Sequence, residues 1–209
     1  PFRRGANDEV CRAYCAMSSD EFAGVNARQR WANWRTIPKN IDGVLPNRPL
    51  AVIDLCCGIG DSTEVLAWYA PPGSEILGLE YNHDFATRAA TRRYCHDSGR
   101  ATAVAFRAQS VLEEFCGADG VRIPDASVDL VNSSGAVGCH FDPPATTILA
   151  REVVRTLRPG GIALIDSGSH GTDARTVVDI FGALGCEHVK ESRSCALDRY
   201  VQVCLRRPS

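Results

Sequence analysis

The 209-residue chain predicts an α/β fold built on a doubly wound, mostly parallel sheet. Three observations predict it. Residues 51–55 (Ala-Val-Ile-Asp-Leu) form a short apolar run with β-branched members, the pattern of a strand buried on both faces. A glycine turn follows at 56–60, and Asp61, Ser62 and Thr63 then offer N-cap chemistry for a helix to about residue 69. A second strand, 75–80 (Glu-Ile-Leu-Gly-Leu-Glu), ends in an acid roughly twenty residues beyond the glycines. Strand, glycine turn, helix and acid-tipped strand make the first βαβ unit of a nucleotide-binding sheet.

The turn itself narrows the ligand. Gly58 and Gly60 let a ligand come close to backbone where a Cβ would collide. A dinucleotide site asks for a third glycine, and Thr63 stands there instead. That disfavours a pyrophosphate at the helix N-terminus. The stretch Asp54-Leu-Cys56-Cys57-Gly58-Ile-Gly60 resembles the Asp-x-Gly-x-Gly-x-Gly turn of the class I S-adenosylmethionine-dependent methyltransferases, with Cys56 in place of the first glycine. The variant Cys-Cys-Gly-x-Gly-Asp is similar to that of quinone-type C-methyltransferases.

The remaining elements follow in order. Residues 7–17 suit a short helix. Ser18 and Glu21 make a capping box that opens a helix through about residue 35, with Phe22, Val25, Trp31 and Trp34 on its apolar side. Pro38, Pro46 and Pro49 then break the chain into a linker. Asn82 caps a helix expected to run to about residue 97. Residues 102–107 are a third strand, followed by a short helical piece ending near 116–117, and 128–132 are a fourth. Pro143 and Pro144 start a helix to about residue 157. Leu157-Arg-Pro-Gly-Gly161 stops it and feeds a fifth strand, 162–166. A helix over 172–184 and strands at 187–193 and 199–206 complete the chain.

The Asp-Leu-Val strand, the helix after it and the Leu-Arg-Pro-Gly-Gly stop again resemble the methyltransferase family, over about residues 50–207. The resemblance implies a Rossmann-like seven-stranded sheet, mostly parallel, with an antiparallel strand inserted at the C-terminal end. It divides the chain into an N-terminal helical extension, 1–49, and a core, 50–209. Residues 18–36 are expected either to form a lid lined by Trp31 or Trp34 or to pack on the sheet edge.

The resemblance also implies S-adenosylmethionine as cofactor and S-adenosylhomocysteine as product. Ligands in such sheets lie beyond the carboxyl ends of the strands. Cys56, Gly58, Gly60 and Ser62 in the turn should meet the cofactor, and Asp54 should order the turn through its backbone amides. Glu80 should accept the ribose hydroxyls and Tyr81 flank the adenine. Gln109 stands where many family members carry an acid near the adenine, followed by Ser110. Asn132 and Ser133 should face the methyl-transfer position. Of the five histidines, His140, in the loop after strand four, is the better candidate base, ahead of His170. The sequence Asp142-Pro-Pro144 lacks the aromatic of the nucleic-acid amino-methyltransferases and reads as a helix start.

Composition sets the outer bounds. Twenty-three Lys and Arg nearly balance twenty-five Asp and Glu, which removes the electrostatic argument for a nucleic-acid or membrane-surface partner. The acceptor is expected to be a small molecule. A macromolecular acceptor, and a non-catalytic module that merely binds S-adenosyl ligands, are the alternatives; an NAD-dependent oxidoreductase is disfavoured by Thr63. No zinc spacing joins the ten cysteines, so they are expected to be structural thiols, with no metal. No apolar run reaches membrane-span length and no signal peptide is visible, so a reducing cytoplasm is the expected location. A first residue of Pro1 points to a trimmed chain.

Overall fold

The computed structural model describes residues 7–209. Seven strands form one sheet: β1 (Ala51–Leu55), β2 (Glu75–Glu80), β3 (Ala103–Ala108), β4 (Val128–Ser133), β5 (Leu157–Ser167), β6 (Glu187–Ser192) and β7 (Val201–Arg206). Their spatial order is β3-β2-β1-β4-β5-β7-β6. β1 to β5 run parallel, and β7 lies antiparallel between β5 and β6. This is the expected Rossmann-like sheet. Strand order reverses between β1 and β4, so the crevice for a ligand opens beyond their carboxyl ends.

Alternation along the strands feeds two cores. On β5, Ile162 and Leu164 belong to one cluster while Ala163 and Ile165 belong to the other. The first cluster holds Ile37 and Ile41 of α3 (Ala27–Ile41) and Val65 and Leu66 of α4 (Asp61–Tyr69). The opposite one holds Leu149 and Val153 of α7 (Pro143–Thr156) and Val177 and Phe181 of α8 (Ala174–Ala183). Each such side chain contributes about 1.5–3 kcal/mol on burial. Cys57, Cys186 and Cys204 are buried as thiols. The Cys11 side chain lies outside the described residues.

The N-terminal segment departs from expectation in three ways. The capping box closes as expected, with Ser18 Oγ accepting from Glu21 N–H and Glu21 accepting from Ser18 N–H. The helix it opens, however, is only α2 (Ser19–Val25); Asn26 turns the chain, and α3 begins at Ala27. α3 then continues through Pro38 to Ile41. Proline removes one ladder hydrogen bond, but burial of Ile37, Asn40 and Ile41 against the sheet holds the helix together. Finally, the tryptophans lie away from the strand ends. Trp34 packs edge-on against Trp68 and Tyr69 of α4, and Trp31 is an exposed platform for Arg35, whose guanidinium sits 4.0 Å above it.

Two further helices are shorter than the pattern suggests. α5 (His83–Ala90) ends where Thr91 returns a hydrogen bond to the Arg88 carbonyl, and Tyr94 turns inward to the core. Residues 110–117 form no helix. Their backbone is satisfied instead by side chains: Phe115 N–H donates to Glu152 and Cys116 N–H to Gln109.

Candidate functional site

The glycine turn is fixed from both sides. Cys56 adopts φ 51°, the left-handed conformation that the first glycine would supply without strain. Gly58 has φ 55°, and a Cβ there would come 2.7 Å from the Phe22 ring. Gly60 has φ 90°, and a Cβ there would run into the Tyr94 hydroxyl. Gly58 therefore keeps the turn open beneath α2. Gly60 packs on Tyr94 and is not among the residues that line the crevice.

Glu80 links turn to strand. Its two oxygens accept from Gly58 N–H at 2.8 Å and Asn82 N–H at 2.9 Å. The Tyr81 N–H bonds it as well, so of a carboxylate's roughly four acceptor positions about one is left for a ribose hydroxyl. Burial raises its pKa, while the backbone donors pull it down. Tyr81 beside it is half exposed on the crevice wall.

Asp54, Asn132 and Ser133 lie beneath the site. Asp54 is fully buried and accepts from Ser62 Oγ (2.7 Å), Thr63 Oγ1 (2.6 Å) and Asn132 Nδ2 (2.7 Å). It orders the turn through helix side chains, not through backbone amides, and does not touch the crevice. Burial lifts its pKa to about 6. Asn132 is spent on Asp54 and on Gln202, whose Nε2 donates to it at 3.0 Å. Ser133 donates to Asp166 at 2.8 Å. Asn132 and Ser133 are both wholly buried and stand on neither cavity wall.

Gln109 does line the crevice, but its amide is engaged. Its oxygen accepts from Arg107 Nε and Cys116 N–H, and its nitrogen donates to the Glu114 carbonyl. These contacts shape the 109–116 loop. Ser62, Cys56 and Ser110 all stand on the crevice wall.

Two cavities open at the strand ends and share a wall of Tyr14, Phe22, Asn26, Ser134, Gly135 and His140. The first holds the glycine turn, Glu80 and the 109–112 loop. The second is bounded by Arg28, Asp166, His170, Asp198 and Tyr200, so it is lined by both aromatic and charged groups. Neither Trp31 nor Trp34 lines either cavity.

His140 sits at the junction. It ends the short α6 (Val137–His140), which Asp166 anchors by accepting from Val137 N–H and Gly138 N–H. Its Nε2 is 2.7 Å from the Tyr14 hydroxyl, with the rings edge-on. Burial lowers its pKa, outweighing Asp166. Tyr14 belongs to α1 (Asn7–Cys15), whose end is tied down by Asn82 Nδ2 donating to the Tyr14 carbonyl at 2.8 Å. Phe22 stacks on Phe85 at 4.5 Å, and Asn26 donates to Asp61.

Tyr14, Phe85, Tyr200 and Gln202 are site residues that the sequence did not single out. Their only signal was aromatic or amide character in segments otherwise read as outer helix or edge strand. Arg28 is paired with Asp198, and Arg30 with Asp61 and Glu64. Among the described residues, no group of three or more His, Cys, Asp or Glu side chains gathers as metal ligands would, and no helix is long and apolar enough to cross a membrane.

The methyltransferase domain model matches residues 52–161. Two curated relatives are demethylmenaquinone methyltransferases. That of Lactococcus lactis subsp. lactis is 27% identical over 125 residues, covering 59% of this chain and 44% of the relative. That of Lactobacillus johnsonii is 29% identical over 113 residues, covering 52% and 40%. The chain thus matches less than half the length of either relative. A chain from the complex of the Haloferax volcanii Trm112 methyltransferase activator with a methyltransferase superposes with a TM-score of 0.69 at 15% identity, over 95% of this chain and 98% of that one. The magnesium protoporphyrin IX methyltransferase of Synechocystis, solved with S-adenosylmethionine bound, gives 0.58 at 14% identity, over 76% and 70%. At such identities the likeness is one of fold.

Proposed function

The chain belongs to the methyltransferase-domain family, that of the class I S-adenosylmethionine-dependent methyltransferases, and from that membership we propose that it methylates a small molecule held in the second cavity. The observation that carries the reading is the pair of cavities meeting at Tyr14 and His140, one beside the glycine turn and Glu80, the other open to polar and aromatic groups. The residues present suit the cofactor. Glu80 retains an acceptor position for a ribose hydroxyl, Tyr81 and the 110–112 loop offer a flat, largely apolar berth, and Gly58 and Ser62 line the same cavity.

When bound, S-adenosylmethionine supplies a methyl group on a positively charged sulfur that leaves as a neutral thioether. The chain's own share is alignment and dryness. Holding both partners in line is worth up to about 7–11 kcal/mol in favourable cases. We assign residues 7–26 the role of lid: Tyr14, Phe22 and Asn26 wall both cavities, and contacts to Asn82, Phe85 and Asp61 hold the segment over the strand ends. α3 packs into the core through Ile37 and Ile41 and adds Arg28, Gln29, Ala32 and Thr36 to the wall of the second cavity. His140, kept neutral by burial, is the base for an acceptor that carries its proton at neutral pH.

The test is incubation of the full chain with methyl-labelled S-adenosylmethionine and a cell extract, followed by separation by size. Label in the small-molecule fraction is expected. Label confined to protein or nucleic acid would move the acceptor to a macromolecule. No label anywhere, from a chain that binds S-adenosylhomocysteine, would favour a binding module without catalysis.

A further inference from the structure

Resting on that reading, we propose that Tyr14 is a catalytic residue: its hydroxyl receives the acceptor's proton as its own proton passes to His140. Tyr14 lies on α1, outside the segment shared with the family model, and is 126 positions from its partner. In the tautomer that carries its proton on Nδ1, Nε2 accepts across this 2.7 Å contact and the phenol donates, which is the direction the relay uses. A hydroxyl can accept while it donates, so one oxygen can serve both ends of the relay. Both side chains line both cavities, which places the relay where the acceptor must meet the methyl donor.

The proton balance closes without any further reagent. The acceptor's O–H, N–H or C–H proton moves to the Tyr14 oxygen while the Tyr14 proton moves to His140 Nε2. The electron pair left on the acceptor would form the new bond to the methyl carbon as the carbon–sulfur bond breaks and its pair stays on sulfur. The resulting imidazolium then returns its proton to water. Burial, reinforced by Cys139, Cys56, Glu80 and Tyr200, pushes the Tyr14 pKa well up, so a tyrosinate standing alone is disfavoured and the two transfers go together. Asp166 is the charged group acting on His140, and it favours the imidazolium that the relay forms. The backbone tie from Asn82 to Tyr14 and the edge-on contact with Phe22 hold the hydroxyl in place.

The probe is 4-nitrophenol, whose phenolate is coloured, added to the full chain saturated with S-adenosylhomocysteine across a pH series. The bound probe should ionise below its solution pKa by about one unit, a tenfold rise in phenolate fraction at low pH. Tyr14→Phe keeps the ring contacts and, at saturating S-adenosylhomocysteine, should abolish that rise. His140→Asn should abolish it independently, which keeps the test sound if the tyrosine variant folds poorly. A probe that does not bind, that binds with its solution pKa, or that ionises equally in Tyr14→Phe overturns the proposal. Failure of the parent reading is seen separately and earlier, as absence of S-adenosylhomocysteine binding to the unaltered chain.

Discussion

Asn132 on β4 donates to the Asp54 carboxylate on β1 across 2.7 Å, between residues in direct register on neighbouring strands. Through Gln202 the same network reaches Asn40 on α3, so a buried polar seam joins the glycine turn to the N-terminal helix. The seam sits under the crevice and sets the position of the helix that begins at Asp61. Asp54 and Asn132 act on a ligand only through that placement, whereas Ser62 and Gln202 also line the cavities.

Removing the acceptor at the centre of the seam should therefore cost stability first. Asp54→Ala leaves Ser62, Thr63 and Asn132 donors without a partner, at about 1–3 kcal/mol for each buried group left unsatisfied. The pH dependence has a definite sign. Because the folded pKa is raised to about 6, the folded chain holds this proton after the unfolded chain has released it. Asp54 thus contributes stability that is complete below about pH 4 and is lost as pH rises through about 6. Relative to Asp54→Asn, urea denaturation of the unaltered chain should show a decline of about 3 kcal/mol across that window and a plateau above it.

The βαβ unit, the acid at its tip and the strand sequence were legible because each depends on residues close in the chain: β-branched runs, glycines and caps. The roles of Gln109, Asn132 and Ser133 were not, because their partners lie elsewhere. Nothing local tells that Gln109 is spent on Glu114 and Cys116, or that Ser133 meets Asp166 from another strand. His140 was legible as a loop residue after β4, whereas its partner Tyr14 was hidden by distance. The helix through Pro38 shows tertiary burial overriding a local break signal, and the Asn26 turn shows the reverse, a break where the pattern alone ran on.

Glu80 carries the cofactor side of the account. Glu80→Ala should weaken S-adenosylhomocysteine binding by roughly ten- to over a hundredfold, the equivalent of about 1.5–3 kcal/mol for hydrogen bonds to a charged acceptor. Calorimetry on the folded variant checks it, and an unchanged dissociation constant would place the ribose elsewhere.

Gly60 should behave as a packing residue. Gly60→Ala adds a methyl against the Tyr94 hydroxyl and forces a left-handed alanine, which alone costs roughly 1–2 kcal/mol. In a Tyr94→Phe background the steric part should shrink and only the backbone part remain. Equal losses in both backgrounds, by thermal or urea unfolding, would show that Tyr94 is not the obstacle.

Trp34 separates core from lid. Trp34→Ala should lower stability by roughly 1–3 kcal/mol through lost contacts with Trp68 and Tyr69. Affinity for S-adenosylhomocysteine should stay within twofold, since Trp34 walls neither cavity. A large loss of affinity in a folded variant would return the tryptophan to the site.

The central claim is that the crevice beside Gly58 and Glu80 takes an S-adenosyl ligand and not a dinucleotide. Isothermal titration of the full chain with S-adenosylhomocysteine and, separately, with NAD measures it most directly. The account predicts saturable one-to-one binding of S-adenosylhomocysteine and no heat of binding from NAD. Binding of NAD together with none of S-adenosylhomocysteine would contradict it.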